Sequence, residues 1–237
     1  MVAVSLHGVV PGPLVVRQEL AAQAVVAWRA AWLLCHPDTA CASLRAMPAQ
    51  SLPLFPLHTV LLPGAALGLR VFEPRYLDLV RECGRSGGGF GICLILDGEE
   101  AGGPATPAAF GTEALIEDFG TGDDGLLTLQ VRGARRFHVR RTRVRDNGLM
   151  VADVAWRGDL DVDELRPQHG LLAMVLERIL EQVGGEHAQA SAARFDDAAW
   201  VCWRLAELLP LTDTQRQSLL QDDDPHARLD QLLGMMS

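Results

Sequence analysis

Residues 52–76 read LPLFPLHTVLLPGAALGLRVFEPRY, and no other stretch restricts the fold of this chain as much. Pro53, Pro56, Pro63 and Pro74, with Gly64 and Gly68, interrupt its most apolar segment. Proline has no N–H to give a sheet ladder, and it breaks helix interiors. The stretch is therefore expected to be neither a long helix nor a central strand. Short extended pieces joined at fixed bends, as at the start of a β-barrel, fit it better.

From residue 73 to about residue 160, strand and turn patterns alternate after one helix. EPRYLDLVREC reads as that short helix, with Pro74 at its first position, Glu73 at the positive end of its dipole and Gly84 as its stop. FGICLIL (90–96) is a continuous apolar run of strand length, DGEEAGGPATPAAF (97–110) is loop by composition, and GTEALIEDF (111–119) is a strand. After the turn GTGDDG, two further strands are expected in LLTLQVRG and RRFHVRRTRV, the second with Phe137 and Val139 inward and Arg136, His138 and Arg140 outward. Asn147-Gly148 signals a hairpin into LMVADVAW, where Met150, Ala152, Val154 and Trp156 share a face.

Past residue 160 the period changes. Leu172, Val175, Leu176, Ile179 and Val183 recur at helical spacing, and GGEHAQASAARF then reads as loop. DDAAWVCWRLAELLP is a helix capped by Asp and ended by Pro210, TDTQ has capping-box spacing, and DPHARLDQLLGMM starts a last helix. Strands first and helices after them give an α+β arrangement.

Composition narrows the chemistry. All 21 basic residues are arginine, with no lysine among 237 residues. A P-loop, a serine–lysine dyad and a pyridoxal Schiff base all need lysine, so none can operate here. A net charge of −9 argues against a general nucleic-acid or anionic-membrane binder. Cys35, Cys41, Cys83, Cys93 and Cys202 lack zinc spacing, and their odd number fits a reducing cytoplasm. The seven histidines form no HExxH and no close pair in sequence, so no metal site, cofactor or catalytic residue is expected.

Three motif matches fail on context. GRSGG (84–88) has the pattern of a nucleophile elbow, but its Ser86 follows a helix rather than a strand. GTGDDG (120–125) matches a dinucleotide fingerprint, yet no helix follows and Asp123 and Asp124 would repel a pyrophosphate. Asp222, Asp223 and Asp224 suit helix capping better than metal binding. One positive signal remains. Arg132, Arg135, Arg136, Arg140, Arg141, Arg143 and Arg145 fall within one stretch of fourteen residues, where they either track a phosphate backbone or pair with nearby acids.

Residues 1–46 differ from the rest. Their apolar run AAQAVVAWRAAWLLC is too short and too broken by Arg29 for a membrane span, and no basic region precedes it as in a signal peptide. They are expected to be a non-native or disordered extension ahead of Met47. Residues 47–160 are then the β subdomain and 161–237 the helical one.

LPLFPLHTVLLPG, FEPRY, FGICLI, GTEALIEDF and GARRFHV, in this order and spacing, resemble the N-terminal substrate-binding domain of the Lon protease family, and LAELLPLTDTQRQSLLQDDDPHARLDQLL resembles its helical tail. The resemblance spans nearly all of 51–235 and extends to the stand-alone Lon-domain proteins. It implies a PUA-like β pseudo-barrel followed by a C-terminal helical subdomain. It also implies a non-enzymatic module that binds unfolded or partly apolar polypeptide segments or a partner protein, with no cofactor and no membrane. Pro53, Phe55, Pro56, Pro63, Gly64, Phe72, Glu73, Pro74, Arg75, Tyr76, Gly111 and Thr112 carry the family motif in mainly structural roles. Trp200 and Trp203 are candidates to line a groove between the two subdomains. The alternative is RNA binding through the arginine-rich strand 132–145, with Arg136, Arg140 and Arg143 as contacts.

Overall fold

In the computed structural model, which describes residues 50–100, 105–158 and 163–236, the proline-rich opening forms strand β1 (Gln50–Leu57). The extension expected at 1–46 lies outside the described residues. β2 (Ala66–Val71), helix α1 (Pro74–Ser86), β3 (Phe90–Asp97), β4 (Thr106–Thr121), β5 (Leu127–Val144) and β6 (Met150–Arg157) come after it in turn. The strands lie in the order β2-β5-β4-β3-β1-β6, and β6 also pairs with β5. That last pairing closes β1, β3, β4, β5 and β6 into a ring and leaves β2 outside it, on β5. The expected pseudo-barrel is present. All pairings are antiparallel except β1 with β3.

β1 sits between β3 and β6, so the expectation that its prolines exclude a central strand is wrong. The reason is a change of partner at its midpoint. Gln50 to Pro53 pair with β6, whereas Leu54 to Leu57 pair with β3. At Pro53 and at Pro56 one flank of β1 therefore carries no ladder bonds, which is where a residue without N–H can sit.

Three other boundaries differ from the sequence reading. β4 starts at Thr106, inside the supposed loop, because irregular pairing beside Ile95 accommodates Pro107. The two strands expected over 126–144 are a single strand, β5. Gly133 in its middle is no break; a Cβ there would collide with the carbonyl of Leu62, which packs against the strand. α1 runs past Gly84 and ends at Gly87, whose N–H bonds to the Cys83 carbonyl.

The helical part holds α2 (Gly170–Val183), the single turn α3 (Ala192–Phe195), α4 (Ala198–Leu208), α5 (Asp213–Gln221) and α6 (Pro225–Met236). A short 3-10 segment, Glu186–Gln189, and α3 occupy the stretch expected to be loop. Asp197 caps α4 by accepting from the N–H groups of Ala199 and Trp200, and Thr212 with Gln215 makes the full capping box of α5.

Side chains on the two faces of the sheet enter different cores. Phe55, Leu57, Phe90, Ile92, Leu129 and Val131 join α1 and the helical part in the larger one, whose centre is α4. Leu52, Leu54, Cys93, Phe137, Ala152 and Val154, from four strands of the ring, make the smaller one. Phe137 fills its middle. A Cβ on Gly91 or Gly111 would lie 2.6 Å from the Phe137 Cζ, so the two glycines leave the room that this ring occupies.

Candidate functional site

The motif residues gather where the chain leaves β1 and enters α1. After β1, the turn at Pro63-Gly64 is gripped by two arginines. Arg204 of α4 donates from Nη2 to the Pro63 carbonyl at 2.5 Å and from Nη1 to the Gly64 carbonyl at 3.3 Å. Arg132 of β5 donates to the same Gly64 carbonyl at 2.9 Å. Arg132 also pairs with Glu117 and Glu186, and these bonds raise its pKa while holding the Glu186 carboxyl below the usual range. Guanidinium suits this task because its fixed fork reaches several acceptors at once.

At the start of α1, Arg75 Nε pairs with the Glu73 carboxylate at 2.9 Å, while its Nη groups reach the carbonyls of Gly148 and Glu100. Tyr76 stacks on Phe55 with ring centroids 3.9 Å apart, and burial pushes its hydroxyl up to about 12. Pro74 occupies the first turn of α1, and Phe72 just before it stays 40% exposed. Gly111 and Thr112 lie on β4, both buried, opposite Phe137 and Arg136 of β5.

Arg136 does not face solvent. It is 1% exposed and donates from Nη1 to the carbonyls of Leu220 and Asp222, at 3.0 and 2.8 Å. Its partner Asp223, 3.3 Å away, also pairs with Arg157. Arg228 of α6 is buried as well, donates to the same Asp222 carbonyl at 3.2 Å, and lies over the Trp203 ring at 4.1 Å. The loop between α5 and α6 is thereby clamped to β5. Phe137 does face inward, as the alternation predicts; the opposite face at Arg136 is covered by the end of α5 and the loop after it.

The other arginines of the cluster mostly meet acids. Arg135 pairs with Glu113, Arg143 with Asp153, and Arg145 with Glu82, which its hydrogen bonds hold below the usual carboxylate range. Arg140 and Arg141 are exposed, and no acidic partner is found for them among the described residues.

Trp203 is 4% exposed and belongs to the core, so it lines no groove. Trp200 is half-buried, edge-on to Phe195 at 5.2 Å and to His187 at 6.1 Å. Ser86 donates to the Cys83 carbonyl in the last turn of α1. Burial raises the Cys83 and Cys93 thiols to about 12, which leaves them inert.

Sequence reading missed a pair of buried histidines. His169 and His226 stack with Nδ1 atoms 3.2 Å apart, so one ring donates and the other accepts. Asp230 lies 2.8 Å from His169 Nε2, and Asp163 lies 3.4 Å from His226 Nε2. The pair ties the start of α2 to α6. The two stand 57 positions apart in the chain, so no sequence spacing could reveal the pair.

Among the described residues several stretches of strand edge have a strand on one side only, β4 beyond Ala114 included, and two of them contrast in character. Beyond His138, β5 keeps only β6 as a neighbour, and its outer edge carries Arg140, Arg141 and Arg143. β2 pairs with β5 alone, and no other described element runs along its far side.

The comparisons agree with this architecture. A family model described as the ATP-dependent protease La (LON) substrate-binding domain matches residues 51–237. A solved Lon N-terminal domain protein from Xanthomonas campestris is 62% identical, with a TM-score of 0.66, covering 78% of this chain and 98% of that one. The N-terminal domain of the Mycobacterium avium complex Lon protease shares the fold at 19% identity, with a TM-score of 0.58 over 78% of this chain and 97% of that one. Sequence, fold and comparison converge: the chain belongs to the LON substrate-binding domain family.

Proposed function

We propose that this chain is a non-enzymatic polypeptide-binding module that holds exposed apolar segments of unfolded proteins or of a partner protein. The observation that carries the reading is the match of residues 51–237 to a substrate-binding domain. Its chemistry agrees. The 237 residues contain no lysine to grip a nucleotide phosphate or serve as a base, and the buried Cys83 and Cys93 thiols are poor nucleophiles. The arginine strand favours RNA little, since Arg136 is in the core and Arg132, Arg135, Arg143 and Arg145 are neutralised by acids. Trp200, half-buried at the rim of the helical part, is the groove residue this reading retains. The cytoplasm is its place, where thiols such as Cys83 and Cys93 stay reduced.

Titration of an unfolded model protein and of a single-stranded RNA at two salt concentrations, followed by anisotropy, tests the reading. The expected result is weak binding of the unfolded protein, around micromolar, with little salt dependence. Tight RNA binding that falls steeply with salt, without response to the unfolded protein, overturns it. The purified protein is expected to hydrolyse neither ATP nor casein, and turnover that follows the protein through repurification would contradict that.

A further inference from the structure

Resting on that reading, we infer that the free edge of β2, Ala66–Val71, binds extended polypeptide by adding it as a strand beside β2, on the side away from β5. The direction of the backbone groups is set by one bond. Gly133 N donates to the Ala65 carbonyl, and with Ala66 opposite Arg132 this fixes the phase of the ladder. Leu67, Leu69 and Val71 turn their N–H and C=O groups to β5, so those of Ala66, Gly68 and Arg70 point away from it. No described strand or helix lies along that side to receive them. The matching occupant is another extended backbone, whose donors and acceptors repeat at the same spacing.

The molecule carries its own control for this inference. Open edges invite association, and proteins usually blunt them with charge or proline. The open stretch of β5 has Arg140, Arg141 and Arg143 along it. β2, in ALGLRV, has no proline and one charge, Arg70, which is neutralised by an ion pair with Asp124. Gly68 is exposed at the middle of the edge, where the lack of a side chain lets a second backbone approach. The flanks are apolar: Leu67 is only half-buried, and Phe72 exposes 40% of its surface just beyond the strand. A segment that alternates apolar and polar residues would extend the buried face of Leu67, Leu69 and Val71 while its polar side chains stay in water. Such pairing reads backbone more than sequence, which suits a binder of many unfolded chains.

The test uses the full chain and a short fluorescein-labelled peptide in which valine alternates with threonine. Two twins of the peptide carry N-methyl groups on alternate amides, one twin on each set. Methylation of the set that faces β2 is expected to weaken binding about tenfold, the loss of two ordinary hydrogen bonds, while the other set changes little. Gly68→Lys and Ala66→Lys are expected to weaken binding to a similar degree. Both should fold, since a Cβ at Gly68 comes no nearer than 3.6 Å to Gln130 and Ala66 is exposed; melting curves check this. Binding that ignores both the methyl groups and the lysines overturns the edge while leaving polypeptide binding intact. No binding of the peptide or of an unfolded protein to the wild-type chain overturns both. A wild-type dimer that Gly68→Lys turns into a monomer assigns the edge to a second copy and overturns the peptide.

Discussion

β5 carries arginines in two settings a few residues apart. At 132 and 136 they are built into the fold: Arg132 holds the Gly64 carbonyl, and Arg136 is buried on the carbonyls of Leu220 and Asp222. At 140–145 they stand in water and pair, where they pair at all, with single carboxylates such as Asp153 and Glu82. The residue type is the same and the strand is the same. What differs is the cover on the outer face, where the loop between α5 and α6 lies over the first half and nothing described lies over the second. A run of basic residues is thus no single feature. Its first half joins sheet to helices; its second half keeps an edge soluble.

The comparison predicts unequal costs. Arg136→Ala should lose about 3–5 kcal/mol in denaturant unfolding, because it strands two carbonyls under the helices and breaks the pair with Asp223. Arg136→Lys should recover little of this, since a point charge cannot span the same acceptors. A loss below about 0.5 kcal/mol would erase the distinction between the two halves. Arg204→Ala should come next, at about 2–3 kcal/mol, by releasing the Pro63-Gly64 turn.

A smaller effect sharpens the first setting through pH. Burial, and then the nearby Arg204 guanidinium, lower the pKa of His187, whose Nε2 lies 2.8 Å from Arg204 Nη1. The folded state therefore favours the neutral ring, and the unfolded chain takes up the proton first as pH falls past about 6.5. The stability this contributes is complete above that value and is lost as pH drops through the folded value. Melting temperature should slip by a few degrees at most between neutral pH and about pH 5, and His187→Gln should remove that part of the slope. Glu186, 3.0 Å from the same ring, opposes the shift but is itself engaged by Arg132. The smallest change is expected from Arg140→Ala and Arg141→Ala, each within about 0.5 kcal/mol of wild type.

What could be read in the sequence was what local physics decides. Asp197 and Thr212 cap helices through neighbours two or three residues away, and Asn147-Gly148 turns a hairpin on its own. The β-then-α order came from periodicity alone. Arg136 was misread for a reason that alternation cannot repair. It does lie opposite Phe137, but the opposite face is covered by a loop 84–86 residues further on. The centrality of β1 was hidden likewise, since nothing in LPLFPL says that its two halves choose different neighbours. The candidate groove suffered most: spacing places Trp200 and Trp203 near each other on α4, and only packing decides that Trp203 is sealed between helices and sheet.

Closure of the ring by β6 also sets a timetable for synthesis. β1 pairs with β6 through Gln50 to Pro53, and its partners Val151 to Val154 are among the last strand residues to be made. Translation at about 5–20 residues per second leaves roughly 5–20 s between the two. For that interval Leu52 and Leu54 have no finished core to enter, and a nascent chain with two bare leucines beside prolines waits at the ribosome exit. The prolines of β1 then acquire a use apart from the finished fold. They make the waiting segment a poor template for pairing with another nascent chain until its own last strand arrives.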